Sequence, residues 1–158
     1  MSERSQPNSR DLMDIMGPRV AFLTPKGDTG DYCVLRAIVP VGVVVPLHSH
    51  PDRETMCVLD GRIEGFLDET WRSYGPGGAI DIPGGVKYAL RNTSGQDVTL
   101  LLVSTARMGQ FFAEIGEPVA RSGGAPPTPE RVARFIDAAR RYGFWLGSEK
   151  DNAAVALA

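Results

Sequence analysis

The chain has 158 residues, of which 42% are hydrophobic and 23% charged, enough apolar material for one globular domain with a true core and too little for two. Its 17 basic and 19 acidic residues leave a formal charge of −2 with neither sign gathered into a block, which argues against nucleic acid or an anionic membrane as a partner. The polar start, residues 1–10, lacks a signal-peptide apolar core, and no stretch reaches the roughly 18 to 20 apolar residues that span a bilayer, so a cytoplasmic location is expected. Cys33 and Cys57 lack CxxC spacing and read as unpaired thiols that pack, not as a disulfide or a nucleophile.

Residues 1–18 read as an N-terminal arm. From 19 to 120 the chain breaks into short runs rich in Val, Ile, Leu and aromatics, at 20–23, 32–39, 42–47, 55–59, 62–67, 79–82, 88–91 and 98–105. Turn residues punctuate them, among them Asp60-Gly61, Gly75-Pro76-Gly77-Gly78, Pro83-Gly84-Gly85 and Asn92-Thr93-Ser94-Gly95, because Gly admits positive φ and Asn or Asp tolerates it. Regularly spaced short strands predict an all-β antiparallel sandwich or barrel.

Residues 108–115 predict a short helix or turn carrying the adjacent Phe111 and Phe112, either as caps on the barrel mouth or as core. Residues 121–158 read as a linker, a helix and a tail. Thr128 is an expected N-cap with Pro129 at the first helical position, and Gly143 an expected C-cap. Val132, Phe135, Ile136, Ala139 and Tyr142 recur at helical spacing between them, giving a face to cover. Packing on the outside of the sheet is the first expectation for this helix, with a crossing to a partner subunit the alternative. Residues 151–158 are expected to form a loosely held tail.

All the histidine of the chain sits in His48-Ser49-His50, at the end of an apolar run and ahead of Glu54. On a strand, residues two apart project from one face about 6 to 7 Å apart, so both imidazoles can converge on one ion. The competing reading is two polar side chains decorating a strand end. Gly42, His48, His50, Glu54 and Gly61 stand as G-x5-H-x-H-x3-E-x6-G, and Gly77, Pro83, Gly85, Tyr88 and Asn92 follow as G-x5-P-x-G-x2-Y-x3-N. Together these blocks resemble the two signature motifs of the cupin superfamily, across the central half of the chain. The resemblance implies a double-stranded β-helix (jelly-roll) barrel with a short C-terminal α-helix, and an interior that usually carries one divalent metal.

Independent chemistry agrees with it. Pro51 biases His50 toward extended backbone, and Pro51-Asp52-Arg53 can turn the chain so that Glu54 opens the next strand facing the imidazoles. Two histidines and a carboxylate can form a facial triad with open positions, suited to iron, manganese, nickel, cobalt or zinc. By alternation from Glu54, Met56 and Val58 face inward and Cys57 outward. The departure from the family pattern is Tyr88, which stands where a third histidine is usual. It is read three ways: as a phenolate ligand, as a neutral phenol that orients or protonates substrate, or as barrel filler.

The segment 108–116 and the helix 131–143 are also similar to the endings of single-barrel bacterial proteins resembling quercetin dioxygenases. That resemblance suggests subfamily ancestry, not a substrate. With the barrel motifs it leads to the first functional expectation, a dioxygenase-type oxidoreductase acting on a small organic molecule, with His48, His50 and Glu54 holding the metal and Glu54 and Tyr88 as catalytic groups. A metal-dependent isomerase, cyclase or lyase without oxygen is the second reading, and a non-catalytic small-molecule-binding cupin the third. Homodimerisation is the family-based expectation.

Overall fold

The computed structural model describes residues 12–27, 29–119 and 125–157. Its strands are β1 (Met13–Asp14), β2 (Arg19–Phe22), β3 (Tyr32–Val39), β4 (Val44–Ser49), β5 (Glu54–Asp60), β6 (Ile63–Leu67), β7 (Thr70–Tyr74), β8 (Ala79–Ile82), β9 (Tyr88–Arg91) and β10 (Val98–Thr105). Then follow α1 (Ala106–Ile115), β11 (Glu117–Pro118), α2 (Pro129–Arg141), β12 (Trp145–Leu146) and α3 (Glu149–Ala154). One sheet has the order β11-β1-β2-β3-β10-β5-β8 and the other β12-β4-β9-β6-β7, with antiparallel pairing. This is the expected all-β double-stranded β-helix, closed on one side by helices. Among the described residues, no helix is long and apolar enough to cross a membrane.

The centre of the larger sheet follows from two eight-residue runs. β3 and β10 pair in register from Val39–Val98 to Tyr32–Thr105. Alternation sends Cys33, Leu35, Ala37 and Val39 inward from β3, and Val98, Leu100 and Leu102 inward from β10. Met56 and Val58 of β5 join them, while Cys57 is only half-buried, as the alternation predicts. Asn92 closes its own turn: its side chain donates to the Gln96 carbonyl at 2.7 Å and accepts from the Ser94 amide at 3.0 Å.

β7 is absent from the sequence-based expectation for two physical reasons. Its five residues alternate poorly, and the β6–β7 hairpin turns on Asp68 and Glu69 at φ 51° and 62°, in place of the Asn-Gly or Asp-Gly that advertises such a turn.

α1 is capped by Thr105, whose side chain accepts from the Met108 amide, and α2 by Thr128, which accepts from the Arg131 amide. Tyr142 is the C-cap of α2, and Gly143 follows it at φ 77°. The expected docking of α2 on the outer sheet face is corrected here. Part of its apolar stripe lies on α1, where Phe111 meets Phe135 at 6.2 Å and Tyr142 at 5.3 Å between ring centroids, and Ala138 and Ala139 are buried. Helix–helix packing wins because α1 itself presents Phe111 and Phe112, and α2 thereby shares the barrel's own core.

The expected loose tail is a second correction. Ser148 and Asp151 form a capping box at the start of α3, Trp71 donates to the Val155 carbonyl at 2.8 Å, and Leu157 is buried. The reason lies in β4, where Pro46 has no N–H for the ladder and the register with β9 shifts between Val45 and His48. The backbone groups of Leu47 left over by this bulge are met from the C-terminal segment. Gly147 donates to the Leu47 carbonyl at 2.9 Å, and the Asn152 side-chain oxygen accepts from the Leu47 amide at 2.9 Å. Asn152→Ala strands that buried amide, and a thermal melt should show a loss of about 1–3 kcal/mol. Asn152→Asp keeps that acceptor but turns a carboxylate oxygen toward the Gly147 and Ser148 carbonyls, to which the Asn152 amide donates at 3.3 and 2.9 Å, so it should not restore full stability.

Candidate metal centre

The bulge at Pro46 sets the first histidine. The Nδ1–H of His48 donates to the Pro46 carbonyl at 2.8 Å, and that of His50 to the Asp52 carbonyl at 2.7 Å. A carbonyl only accepts, so both bonds place a proton on Nδ1 and leave Nε2 free for a lone pair, the arrangement that second-shell carbonyls impose on metal-binding histidines. The turn after His50 is held from the other motif: Gly85 donates to the His50 carbonyl at 2.8 Å, and a Cβ on Gly84 would stand 2.1 Å from the Pro51 carbonyl oxygen. Only glycine permits that approach.

Tyr88 opens β9 directly across from His48, with their ring centroids 4.3 Å apart. A phenol is longer than an imidazole. Its hydroxyl therefore reaches past His48 to lie 3.1 Å from His50 Nε2 and 3.1 Å from Glu54 Oε2. Glu54, the first residue of β5, closes the triangle with Oε2 3.0 Å from His50 Nε2. The structure thus brings His50, Glu54 and Tyr88 into mutual contact and packs His48 against the Tyr88 ring. Among the described residues, no three His, Cys, Asp or Glu side chains form a metal-holding group by themselves, because the third corner of this triangle is the phenol.

Proton counting gives the triangle its chemistry. Burial and then the Glu54 charge and hydrogen bond push the Tyr88 phenol well above its ordinary value, so it stays protonated and donates its one hydrogen to Glu54. His50 Nε2 and the carboxylate then face each other at 3.0 Å, lone pair to lone pair, unless a positive charge joins them. That charge is a second proton on His50 or a metal ion. Burial pulls the His50 imidazole down, but the Glu54 hydrogen bond and charge and the Asp52 carbonyl raise it overall. Burial dominates at His48, which falls to about 4 and is a neutral imidazole.

His50 and Glu54 supply an imidazole nitrogen and a carboxylate oxygen, the donor types of a divalent transition-metal site, while the third corner is the protonated Tyr88 phenol. Donor atoms bound at about 2.1 Å at right angles around one ion stand about 3 Å apart. The edges of the triangle, 3.0, 3.1 and 3.1 Å, match that spacing. His48 Nε2 has no protein partner among the described residues and is the remaining imidazole donor.

The cluster forms the polar end of a cavity of about 410 Å³. Its other walls are aliphatic and aromatic, including Phe111, Phe112, Phe135 and Phe144. Phe111 and Phe112 thus line the cavity, and Phe111 is at the same time core. Phe66 and Trp71 belong to a separate small cluster, whereas Tyr74 packs on the main core. Phe144 escaped the sequence reading. It stands 5.1 Å from the His50 ring and is stacked at 6.1 Å on His48, brought there as the chain leaves α2 and its amide bonds the Ala139 carbonyl. The one available signal was Gly143, which reverses the chain after the helix. Cys33 is buried, and burial raises its thiol, so it is a packing residue.

Comparison with known proteins places this geometry. No functionally curated protein matches the chain. Among solved structures, the polyketide cyclase RemF from Streptomyces resistomycificus is 22% identical, covering 67% of this chain and 80% of its own, with a TM-score of 0.59. A sugar phosphate isomerase from the cupin superfamily of Silicibacter pomeroyi is 19% identical, covering 60% of this chain and 68% of its own, with a TM-score of 0.52. The cupin domain of Cnp3 from Schizosaccharomyces pombe is 20% identical, covering 59% of this chain and 66% of that one, with a TM-score of 0.52. At such identities the likeness is one of fold, and the three names already span unlike roles. The family described as Cupin_2, cupin domain, matches residues 35–104, the stretch that carries His48, His50, Glu54 and Tyr88. Residues 35–104 of the chain therefore carry a cupin domain.

Proposed function

We propose that this cupin is a metal-dependent enzyme acting on a small organic molecule, with oxygenation by dioxygen as its reaction class. The observation that carries the reading is the His50–Glu54–Tyr88 triangle at the end of an apolar cavity, with its N and O atoms 3.0 to 3.1 Å apart. His50 and Glu54 would hold iron, manganese, nickel, cobalt or zinc, with His48 Nε2 the further imidazole donor and Tyr88 the neighbouring phenol. Such an ion, when bound, polarises a substrate oxygen and makes an enol or phenol substrate electron-rich enough to meet dioxygen.

The protein's own groups do the rest. The Pro46 and Asp52 carbonyls fix the two imidazoles in one tautomer. Tyr88 holds a proton at its hydroxyl oxygen, shared with Glu54, where it can be given to a substrate oxygen and taken back. Phe144, across the two imidazole rings, and Phe111, 4.5 Å from it between centroids, keep water from the reacting end.

A second reading is favoured by the phenol itself. A neutral Tyr88 that shares its proton with Glu54 is suited to proton transfer, so an isomerisation, cyclisation or elimination at the same ion would need no oxygen. Turnover of a panel of flavonols and related enols, in air on an oxygen electrode and then under strict anaerobiosis, separates the two. Oxygen uptake that disappears in His50→Ala supports oxygenation, turnover that survives without air supports the second reading, and no turnover with any of the five metals removes both.

A further inference from the structure

The cavity is polar at one end and has no charge anywhere else. Among the described residues, it is lined by no Lys, Arg or Asp, and its one carboxylate is Glu54 in the cluster. None of the arginines on α2 lines the cavity: Arg131 pairs with Asp14 and Glu117, Arg134 with Glu117, Arg141 with Glu114 and Asp137, and Arg140 is exposed on the helix surface. An anionic group carried into the walls would lose its water and find no counter-charge there.

The mouth repeats this chemistry. Val132 and Ile136, one turn apart on α2, are 38% and 41% exposed and also line the cavity. Val44 on β4 and Leu146 on β12, at 42% and 37%, do the same on the facing edge. Large apolar side chains that are at once surface and cavity wall mark an entrance built to admit apolar matter. The volume, about 410 Å³, lies toward the small end of the roughly 300–1,000 Å³ usual for organic ligands.

From the uncharged walls and apolar rim we infer the substrate class. The site takes an uncharged, mainly apolar molecule of two or three rings or equivalent bulk. It carries one oxygen function at the end that meets the His48, His50, Glu54 and Tyr88 cluster, and no anionic group at its far end. The inference rests on the reading that this cluster is the reacting end. It sets phosphorylated sugars and sugar acids apart from this chain's substrates.

The test uses the full chain, both metal-free and metal-loaded, and two fluorescent probes of one shape. 2-Naphthol offers a hydroxyl to the cluster and a bare ring to the walls, whereas 6-hydroxy-2-naphthoate offers the same hydroxyl with a carboxylate at the far end. Titration followed by the probes' own emission should give 2-naphthol at least a hundredfold tighter binding. Ile136→Arg puts a cation on the partly exposed rim, where the fold tolerates it, and should narrow that gap at least tenfold by recruiting the carboxylate. Equal binding of the two probes, binding of neither, or a gap untouched by Ile136→Arg overturns the inference. A preserved gap in a protein that binds no metal and turns nothing over keeps the class of molecule that the cavity takes, as ligand and not substrate, and removes the enzymatic reading. Equal binding in a metal-loaded, active protein does the reverse.

Discussion

Tyr88→Phe is expected to keep the fold and the ion while lowering kcat by about 100- to 10,000-fold, the range that a positioned proton donor contributes. The substitution removes one oxygen and leaves the ring that packs at 4.3 Å on His48, so the barrel end stays filled. What disappears is the phenolic proton, which the burial and Glu54 keep in place on Tyr88. The measurement is kcat and KM on the substrate found by the enol panel, with elemental analysis of the same sample. An unchanged kcat contradicts a proton-carrying role. A full loss of metal would make the phenol a ligand, and Tyr88→His, which supplies the third imidazole of the family pattern, should then restore binding.

His50→Ala carries the largest expected cost in stability. It takes away the cationic partner of Glu54 and leaves a carboxylate that is 3% exposed with one protein donor, Tyr88. Breaking a buried pair from one side costs about 3–5 kcal/mol, which for a chain of this size lowers Tm by on the order of 10 °C. Glu54→Gln is different, because the side-chain amide can donate to a neutral His50 and both groups stay satisfied. Its expected cost is about 1 kcal/mol, although the ion loses its carboxylate. Thermal melts of both variants in chelator check this ordering. Equal destabilisation would mean that the His50–Glu54 contact is no charged pair in the metal-free protein.

The site was legible where its chemistry is local. His48, His50 and Glu54 lie within seven residues, and Pro51 announces the turn between them, so the local sequence brought Glu54 to His50. Glu54 as a partner of the Tyr88 hydroxyl was within reach of the sequence, but its contact with His50 was not legible, because it depends on the register of β9 against β4 and on the extra length of a phenol over an imidazole. The core alternation of β3 and β10 was readable for the same local reason as the HxH pair.

The C-terminal segment shows the opposite case. Asn152 and Leu47 are 105 positions apart, and nothing near residue 152 says that a proline bulge elsewhere has freed an amide for it. Phe144 and the docking of α2 on α1 were hidden likewise, since an amphipathic stripe states that a helix must cover something but not what. Ser148 and Asp151 did carry a capping-box spacing, which was the one local hint that the tail is structured.

The central claim is that His50 and Glu54 share a metal ion. It is tested most directly by elemental analysis of untagged protein supplied in turn with iron, manganese, nickel, cobalt and zinc, beside His50→Ala and Glu54→Gln. The account predicts about one ion per chain in the unsubstituted protein with at least one of these metals, and little or none in either variant. Protein that stays free of metal under every supply, or variants that hold as much ion as the parent, would contradict it.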